Sequence, residues 1–369
     1  VAKILVFEPY YGGSHRAFID GWVEHSKHRF TLLTLPAHHW KWRMRHAATT
    51  LVRQACSSPG LLADSDVIWS SSMLNVAELR GLLASTGIVC PTVCYFHENQ
   101  LEYPIAHPDP RDVHFAFDNW ISARAADEVW FNSRYNRDTL LEGLAALFRK
   151  MPDQRSVFQA SEILERSVIE APGIWPNDNA PPRREQGPLA LAWAARWEHD
   201  KGPDLLHDAL VELERRGVDY TIAILGERFK SVPPAFESLK RKLGHRIVQF
   251  GWLESYADYQ RLLGQSDVFI STAQHEFFGI AVMEGVAAGC RPLLPRSLVY
   301  PELFGDAPVF HDGTPTGLAN ALAELASGGT ATWPDLRHIA ESHTWPNRAE
   351  SMDARIDALV DAAPVDAAG

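Results

Sequence analysis

His275-Glu276-Phe277-Phe278-Gly279-Ile280-Ala281-Val282-Met283-Glu284-Gly285-Val286-Ala287-Ala288-Gly289 is the stretch from which the rest of this chain is read. A short apolar run, Asp267-Val268-Phe269-Ile270-Ser271, comes just before it and reads as a strand, while the residues after Gly279 read as a helix. A strand that turns over a glycine into a helix aims backbone N–H groups and a positive helix end at the space above it. That is a place for an anion. Glu276 lies in the turn, and Glu284 lies on a helix whose other positions are almost all Ile, Ala, Val, Met or Gly. A helix apolar all round is a buried one, so Glu284 is expected to face a cleft and to need hydroxyl or N–H partners. The competing reading makes it a solvated helix residue.

A chain of 369 residues predicts two domains, each large enough for its own core. With 46% hydrophobic and 22% charged residues the composition is that of a soluble globular protein and excludes a disordered one. No stretch approaches the roughly 18 apolar residues that a membrane span needs. Val1-Ala2-Lys3-Ile4-Leu5-Val6-Phe7-Glu8 reads as a first strand and not as a signal peptide. Of the four cysteines, Cys90 and Cys94 share one extended segment, which suits neither a disulfide framework nor a zinc site. The expected compartment is a reducing cytoplasm.

The net charge of -11 argues against a polyanion partner, but its distribution changes that reading. Residues 1–150 hold 15 Lys+Arg and 15 Asp+Glu, so the whole excess lies in residues 151–369. The first 46 residues hold 7 Lys+Arg against 3 acids, with 6 of the 16 histidines. One half is acceptable to nucleic acid and the other repels it.

Strand-like and helix-like stretches alternate throughout, which predicts an α/β fold with parallel sheets of βα units. Strands are expected at 3–7, 30–35, 67–70, 89–96, 128–132 and 168–171, then at 189–195, 220–225, 247–251, 268–271 and 292–294. The Pro- and Asn-rich run from Gly173 to Pro188 reads as a linker. The expected organisation is therefore a first domain over 1–173, a linker over 174–188, a second domain over 189–345, and a C-terminal helix and tail over 346–369. Ligands of doubly wound sheets sit at the carboxyl ends of strands. There the first strand offers Gly12-Gly13, where backbone can approach a phosphate, although a glycine pair is also a common turn. The seventh offers Arg196 and, before the next helix, Lys201-Gly202. Both cations can reach one diphosphate and stabilise a departing nucleotide; the alternative is ion pairing with Glu198 or Asp200.

Pro36-Ala37-His38-His39-Trp40-Lys41-Trp42-Arg43-Met44-Arg45-His46 interleaves cations with indoles. Guanidinium and ammonium groups suit phosphates, and two exposed tryptophans suit stacked bases of single-stranded RNA. A charge run is otherwise a solvated face. Arg134, Arg137, Arg149 and Lys150 extend the basic surface on the same reading. His107, Asp109, Asp112 and His114 have ligand chemistry but are interrupted by Pro108 and Pro110, and Asp64-Ser65-Asp66 precedes a strand, so no metal site is assigned.

Two carboxylates with seven residues between them, around a glycine helix start, resemble the signature of retaining, two-domain GT-B glycosyltransferases of family four. The blocks Glu8-Pro9-Tyr10-Tyr11-Gly12-Gly13-Ser14-His15, Leu35 to Arg45, Ser71 to Leu79 and Tyr95-Phe96-His97-Glu98-Asn99-Gln100-Leu101-Glu102-Tyr103-Pro104 narrow this. They resemble successive blocks of the tRNA-queuosine α-mannosyltransferase family. The resemblance implies two Rossmann-like doubly wound domains facing a cleft, a last helix that crosses back to the first domain, and mannose transfer from GDP-mannose to the queuosine cyclopentenediol in the anticodon of tRNA-Asp. It implies that Glu276 contacts the donor sugar, that Glu284 holds the ribose, and that Gly12, Gly13, Arg196, Lys201, Phe278, Gly279 and Ile280 hold the diphosphate side. His97 hydrogen-bonds the donor sugar or lines the acceptor side, so His97, Glu276, Arg196 and Lys201 form the catalytic set. His15, Trp40, Lys41, Trp42, Arg43, Arg45, His97, Glu98 and Asn99 are assigned to acceptor RNA. The turns at Leu225-Gly226-Glu227 and Phe250-Gly251-Trp252-Leu253 surround the nucleoside base, and Tyr300 to Leu303 lies near it.

The implied partners are a nucleotide sugar and tRNA, with no cofactor and metal-independent transfer; the oligomeric state stays undefined. One alternative is a family-four-like enzyme using another nucleotide sugar and a lipid or small-glycoside acceptor. A second is a catalytically silent RNA-binding protein on the same scaffold.

Overall fold

The computed structural model describes residues 1–58, 60–102, 112–177, 187–227, 232–328 and 333–362. The chain forms two compact units, Val1–Gly173 with Trp345–Gly369, and Ile174–Thr344.

In the first unit the order is β1 (Lys3–Tyr11), α1 (Gly13–His25), β2 (Arg29–Pro36), α2 (Trp40–Cys56), β3 (Val67–Ser71), α3 (Val76–Ala84), β4 (Thr92–Phe96), α4 (Val113–Ala125), β5 (Glu128–Phe131), α5 (Arg134–Arg149), α6 (Ala160–Leu164) and β6 (Ser167–Ile169). The strands pair in the parallel order β2-β1-β3-β4-β5-β6. The apolar runs of β1, β3, β4 and β5 are buried on both faces, while the edge strands β2 and β6 are only partly buried. The order reverses direction at β1 and β3, so the loops after β1 and its neighbours surround a topological switch point. Helix α2 shows how the sequence fits this sheet. Met44, Ala47, Ala48, Leu51, Val52 and Ala55 recur at helical spacing and are the buried face.

The second unit contains β7 (Leu189–Ala194), α7 (Pro203–Arg215), β8 (Tyr220–Leu225), α8 (Pro234–Leu243), β9 (Ile247–Gly251), α9 (Tyr256–Gly264), β10 (Val268–Ile270), α10 (Ile280–Ala287), β11 (Arg291–Pro295), α11 (Tyr300–Phe304), β12 (Val309–His311), α12 (Pro315–Gly328) and α13 (Arg337–Glu341). Its six parallel strands lie in the order β12-β11-β10-β7-β8-β9, with the switch point between β7 and β10. The segments that follow these two strands carry Arg196, Lys201 and the Glu276 turn.

The last helix, α14 (Trp345–Ala362), belongs to the first unit. Asp353 on it is buried and accepts from Trp22 Nε1 (2.9 Å), Ser26 Oγ (2.6 Å) and the Lys27 N–H (2.8 Å). Trp345 lies so close to Gly21 and Gly173 that a Cβ on either would meet its ring at 2.1 and 2.3 Å.

One device recurs at the strand starts. Asp66, Asp127 and Asp267 each stand just before a strand and accept an N–H at the start of the neighbouring one, from Lys3 (2.7 Å) and Thr92 (2.8 Å), the first residues of β1 and β4, and from Ala190 (2.8 Å), the second of β7. The second acid of Asp64-Ser65-Asp66 is thus a register clamp.

The differences from expectation are local. β4 begins at Thr92 because Pro91 offers no N–H and Val89 is exposed. β12 was not among the expected strands. Residues 174–177 pack within the second unit, with the Ile174 N–H bonded to His343 O (2.8 Å) and Asn177 to Gln260 O (3.1 Å). The rest of the expected linker, 178–186, lies outside the described residues, as do His107, Asp109, Tyr103 with Pro104, and the tail from residue 363. The charge contrast is also corrected. The first unit holds 19 Lys+Arg against 24 Asp+Glu and the second 16 against 22, because residues 151–173 and 345–369, both with more acids than cations, belong to the first.

Candidate active site

At the switch point of the second unit, Gly202 allows the segment after β7 to approach the one after β10. Its φ is +64°, and a Cβ there would lie 2.1 Å from Thr272 O. Thr272 Oγ1 donates to Lys201 O (2.7 Å) and accepts from Trp193 Nε1 (2.9 Å), and the Gln274 N–H donates to Asp200 O (2.8 Å). These bonds fix Lys201, which is 8% exposed. Its Nζ donates to His275 O (2.8 Å) and contacts Glu276 Oε2 (3.3 Å) and Asp200 Oδ2 (3.2 Å). Burial disfavours the ammonium, but Glu276 and Asp200 outweigh that and raise its pKa. Burial likewise opposes ionisation of Glu276, yet the Lys201 charge holds it below the usual carboxylate range. His275, buried beside the same cation, is pushed down to about 4 and is neutral.

Glu276 Oε1 accepts from the Phe277 N–H (3.2 Å) and the Phe278 N–H (3.5 Å), so the turn curls around its own carboxylate. Gly279 caps α10 at φ +84°, a conformation that favours glycine. Tyr300 closes the floor, hydrogen-bonded to Ser271 Oγ at 2.7 Å. Arg196 is partly exposed and lies 3.3 Å from Glu198. Thus Lys201 and Glu276 are brought into contact, while Arg196 pairs with the acid beside it.

Glu284, on α10, is half-buried and both of its oxygens have hydroxyl partners. Tyr256 OH donates to Oε1 (3.0 Å) and Tyr259 OH to Oε2 (2.9 Å). Burial raises its pKa to about 7 against the opposing effect of these two bonds. The phenols come from α9, one turn apart, and their link to Glu284 left no mark in the sequence around it.

In the first unit Gly12 caps α1 in extended backbone, and a Cβ there would lie 2.5 Å from Ala37 Cβ; Gly13 follows at φ +52°. His15, in the first turn of α1, is buried and not on an RNA-facing surface. Its ring lies 3.9 Å from that of His97, at 32°. Burial and the His15 charge depress the His97 pKa well below the ordinary histidine value. Glu8 is fully buried, with Oε1 accepting from the Tyr10 N–H (2.7 Å) and standing 3.3 Å from His15 Nδ1. Sequence reading passed over Glu8, whose neighbours in space are 7 and 89 positions away. Asn99 is fully buried and its amide is used inside the fold, donating to Asn136 Oδ1 (3.0 Å) and accepting the Leu101 and Glu102 N–H groups. Glu98 accepts from Gln100 Nε2 (3.3 Å).

The cation–indole run is the start of α2. Of its two tryptophans only Trp42 is exposed, at 61%, because Trp40 packs 5.0 Å from Phe115. Lys41 pairs with Asp112 (2.7 Å) and Arg45 with Asp118 (2.9 Å), while Arg43 donates to Pro36 O (3.1 Å). Charge and indole therefore meet on a helix braced by acids of the α4 region.

Residues 3–174 match the tRNA-queuosine alpha-mannosyltransferase N-terminal family model, and residues 176–341 match that of glycosyl transferases group 1. A tRNA-queuosine alpha-mannosyltransferase of Drosophila melanogaster is 37% identical over 314 residues, 82% of this chain and 81% of that protein. The chain belongs to the tRNA-queuosine α-mannosyltransferase family. Members of this family are glycosyltransferases, and the fold is GT-B. Sucrose-phosphate synthase from Thermosynechococcus elongatus superposes with a TM-score of 0.73 at 13% identity, covering 98% of this chain and 100% of that one. A GDP-mannose-dependent alpha-(1-6)-phosphatidylinositol dimannoside mannosyltransferase of Mycobacterium tuberculosis is 28% identical over 179 residues, 46% of this chain and 44% of that protein. Among the described residues no helix is long and apolar enough to cross a membrane.

Proposed function

We propose that this enzyme transfers mannose from GDP-mannose, with retention, to the cyclopentenediol of queuosine in tRNA-Asp, in the cytoplasm. The observation that carries this reading is the match of residues 3–174 to the N-terminal model of the queuosine enzymes, because an acceptor-specific model covers most of the first unit. The donor reading is supported by the relatives, one of them a GDP-mannose-dependent enzyme.

In this mechanism Lys201, Arg196 and the α10 start at Phe278, Gly279 and Ile280 neutralise charge on the departing diphosphate. Protein cations and N–H groups perform that task, so donor activation needs no metal. Glu276, ionised and fixed by Lys201, orients the mannose hydroxyls. Glu284 accepts the ribose hydroxyls through lone pairs not used by its tyrosines. The acceptor hydroxyl, on the side of His97, attacks the face that the phosphate leaves, and its proton passes to the leaving phosphate oxygen. Trp42 and Arg43 contact the RNA. The test is transfer of labelled mannose to queuosine-containing tRNA-Asp beside the same tRNA carrying guanosine. Label in the queuosine form alone supports the reading; label in neither, with donor still bound, overturns the acceptor.

A further inference from the structure

We infer that Glu8, His15 and His97 in the first unit form a binding site for a first-row divalent cation of the zinc class. The residues arrive from three elements: Glu8 from β1, His15 from the first turn of α1 and His97 from the residue after β4. One carboxylate oxygen and one ring nitrogen from each histidine lie within 4.8 Å of one another. The 3.3 Å between Glu8 Oε1 and His15 Nδ1 is the spacing of adjacent ligand atoms around a tetrahedral ion with bonds of about 2.0–2.1 Å. The third ligand atom, on His97, lies within 4.8 Å of both.

A second observation is independent of this spacing. Glu8 is 0% exposed, yet its Oε2 has no hydrogen-bond partner among the described residues, and neither has the buried Nε2 of His97. A buried carboxylate oxygen and a buried imidazole nitrogen left unmatched are costly, and two in one cluster point to a bound species that completes both. The surroundings add to the need. Phe18 and Tyr95 stand 5.2 and 4.5 Å from the His97 ring, and among the described residues the ion-pair partner of Glu8 is His15, with no Lys or Arg in that role.

Two imidazoles and one carboxylate select zinc-like ions over magnesium or calcium, which take oxygen ligands. Three protein ligands leave a position for water or a hydroxyl. The ion belongs to the first unit and is separate from the cations proposed to neutralise the donor diphosphate.

The test uses the full chain, stripped with a chelator, dialysed and titrated with Co²⁺ alone, then with Zn²⁺ in competition. One equivalent of Co²⁺ is expected to give visible ligand-field bands of a nitrogen–oxygen site that Zn²⁺ abolishes, with affinity reduced at least about tenfold in Glu8→Gln and His97→Gln. X-ray absorption at the zinc edge of the wild-type protein needs no variant, and is expected to show a nitrogen–oxygen shell with imidazole scattering. Absence of binding overturns the site. So do bands indifferent to both substitutions, or a sulfur shell, which would place the ion on Cys56 or Cys90.

Discussion

Burial sets the titration of Glu284 against the pull of two phenols, and this is measurable. In the folded chain the carboxyl binds its proton up to about pH 7, well above the ordinary 4.5 of an unfolded glutamate. Between those values the folded state holds the proton and the unfolded state does not, so stability falls as pH rises from about 4.5 to 7. Glu284→Gln is expected to remove that slope in urea titrations. In the proposed role of Glu284 the ribose hydroxyls need the ionised acceptor, so GDP affinity by calorimetry is expected to rise about tenfold from pH 6 to pH 8 in the wild type and to stay flat in the Gln variant. Lys201→Ala leaves Glu276 and Asp200 without their shared cation. It is expected to lower kcat by about 100- to 1,000-fold, with Lys201→Arg failing to restore it because the side chain is enclosed. At this scale the Glu276–Glu284 pair and Lys201 were legible, since a strand, a glycine and a helix start lie together in sequence. Tyr256, Tyr259 and Glu8 were not, because each meets its partner through tertiary packing. Asn99 misled for the same reason: polar residues after a strand look available until the neighbouring helix uses their hydrogen bonds.

Turns govern the elements. The expected strands recur in the structure because the central parallel strands, buried on both faces, are continuous apolar runs; β12, Val309–His311, was not among those expected. The trio Asp66, Asp127 and Asp267 shows what periodicity misses, since each acid serves an N–H in the first two residues of a neighbouring strand. Gly202 tests the close approach of the segments after β7 and β10. Gly202→Ala places a Cβ 2.1 Å from Thr272 O in left-handed backbone and is expected to cost about 3 kcal/mol or more. Gly13→Ala, also left-handed but with nothing within 4 Å, is expected to cost about 1–2 kcal/mol. Denaturant midpoints measure both, and equal losses would show that backbone angle alone matters.

At the scale of the whole molecule, the chain's ends matter more than its halves. Helix α14 carries its acids back to the first unit, so an even split of the sequence gave the wrong charge balance for that unit. With both units acidic, RNA contact rests on a local surface and not on a global field. Trp42→Ala is expected to weaken tRNA binding by about 1–3 kcal/mol, with the KM for nucleotide sugar unchanged. Trp40→Ala is expected to lower the melting temperature instead, because Trp40 packs on Phe115. The proposed acceptor chemistry is tested most directly by the mass of the nucleosides released from queuosine-containing tRNA-Asp after incubation with the enzyme and GDP-mannose. The account predicts that queuosine is replaced by a species one hexose heavier, and that Lys201→Ala largely abolishes it. Unchanged queuosine beside consumed or bound GDP-mannose would contradict it.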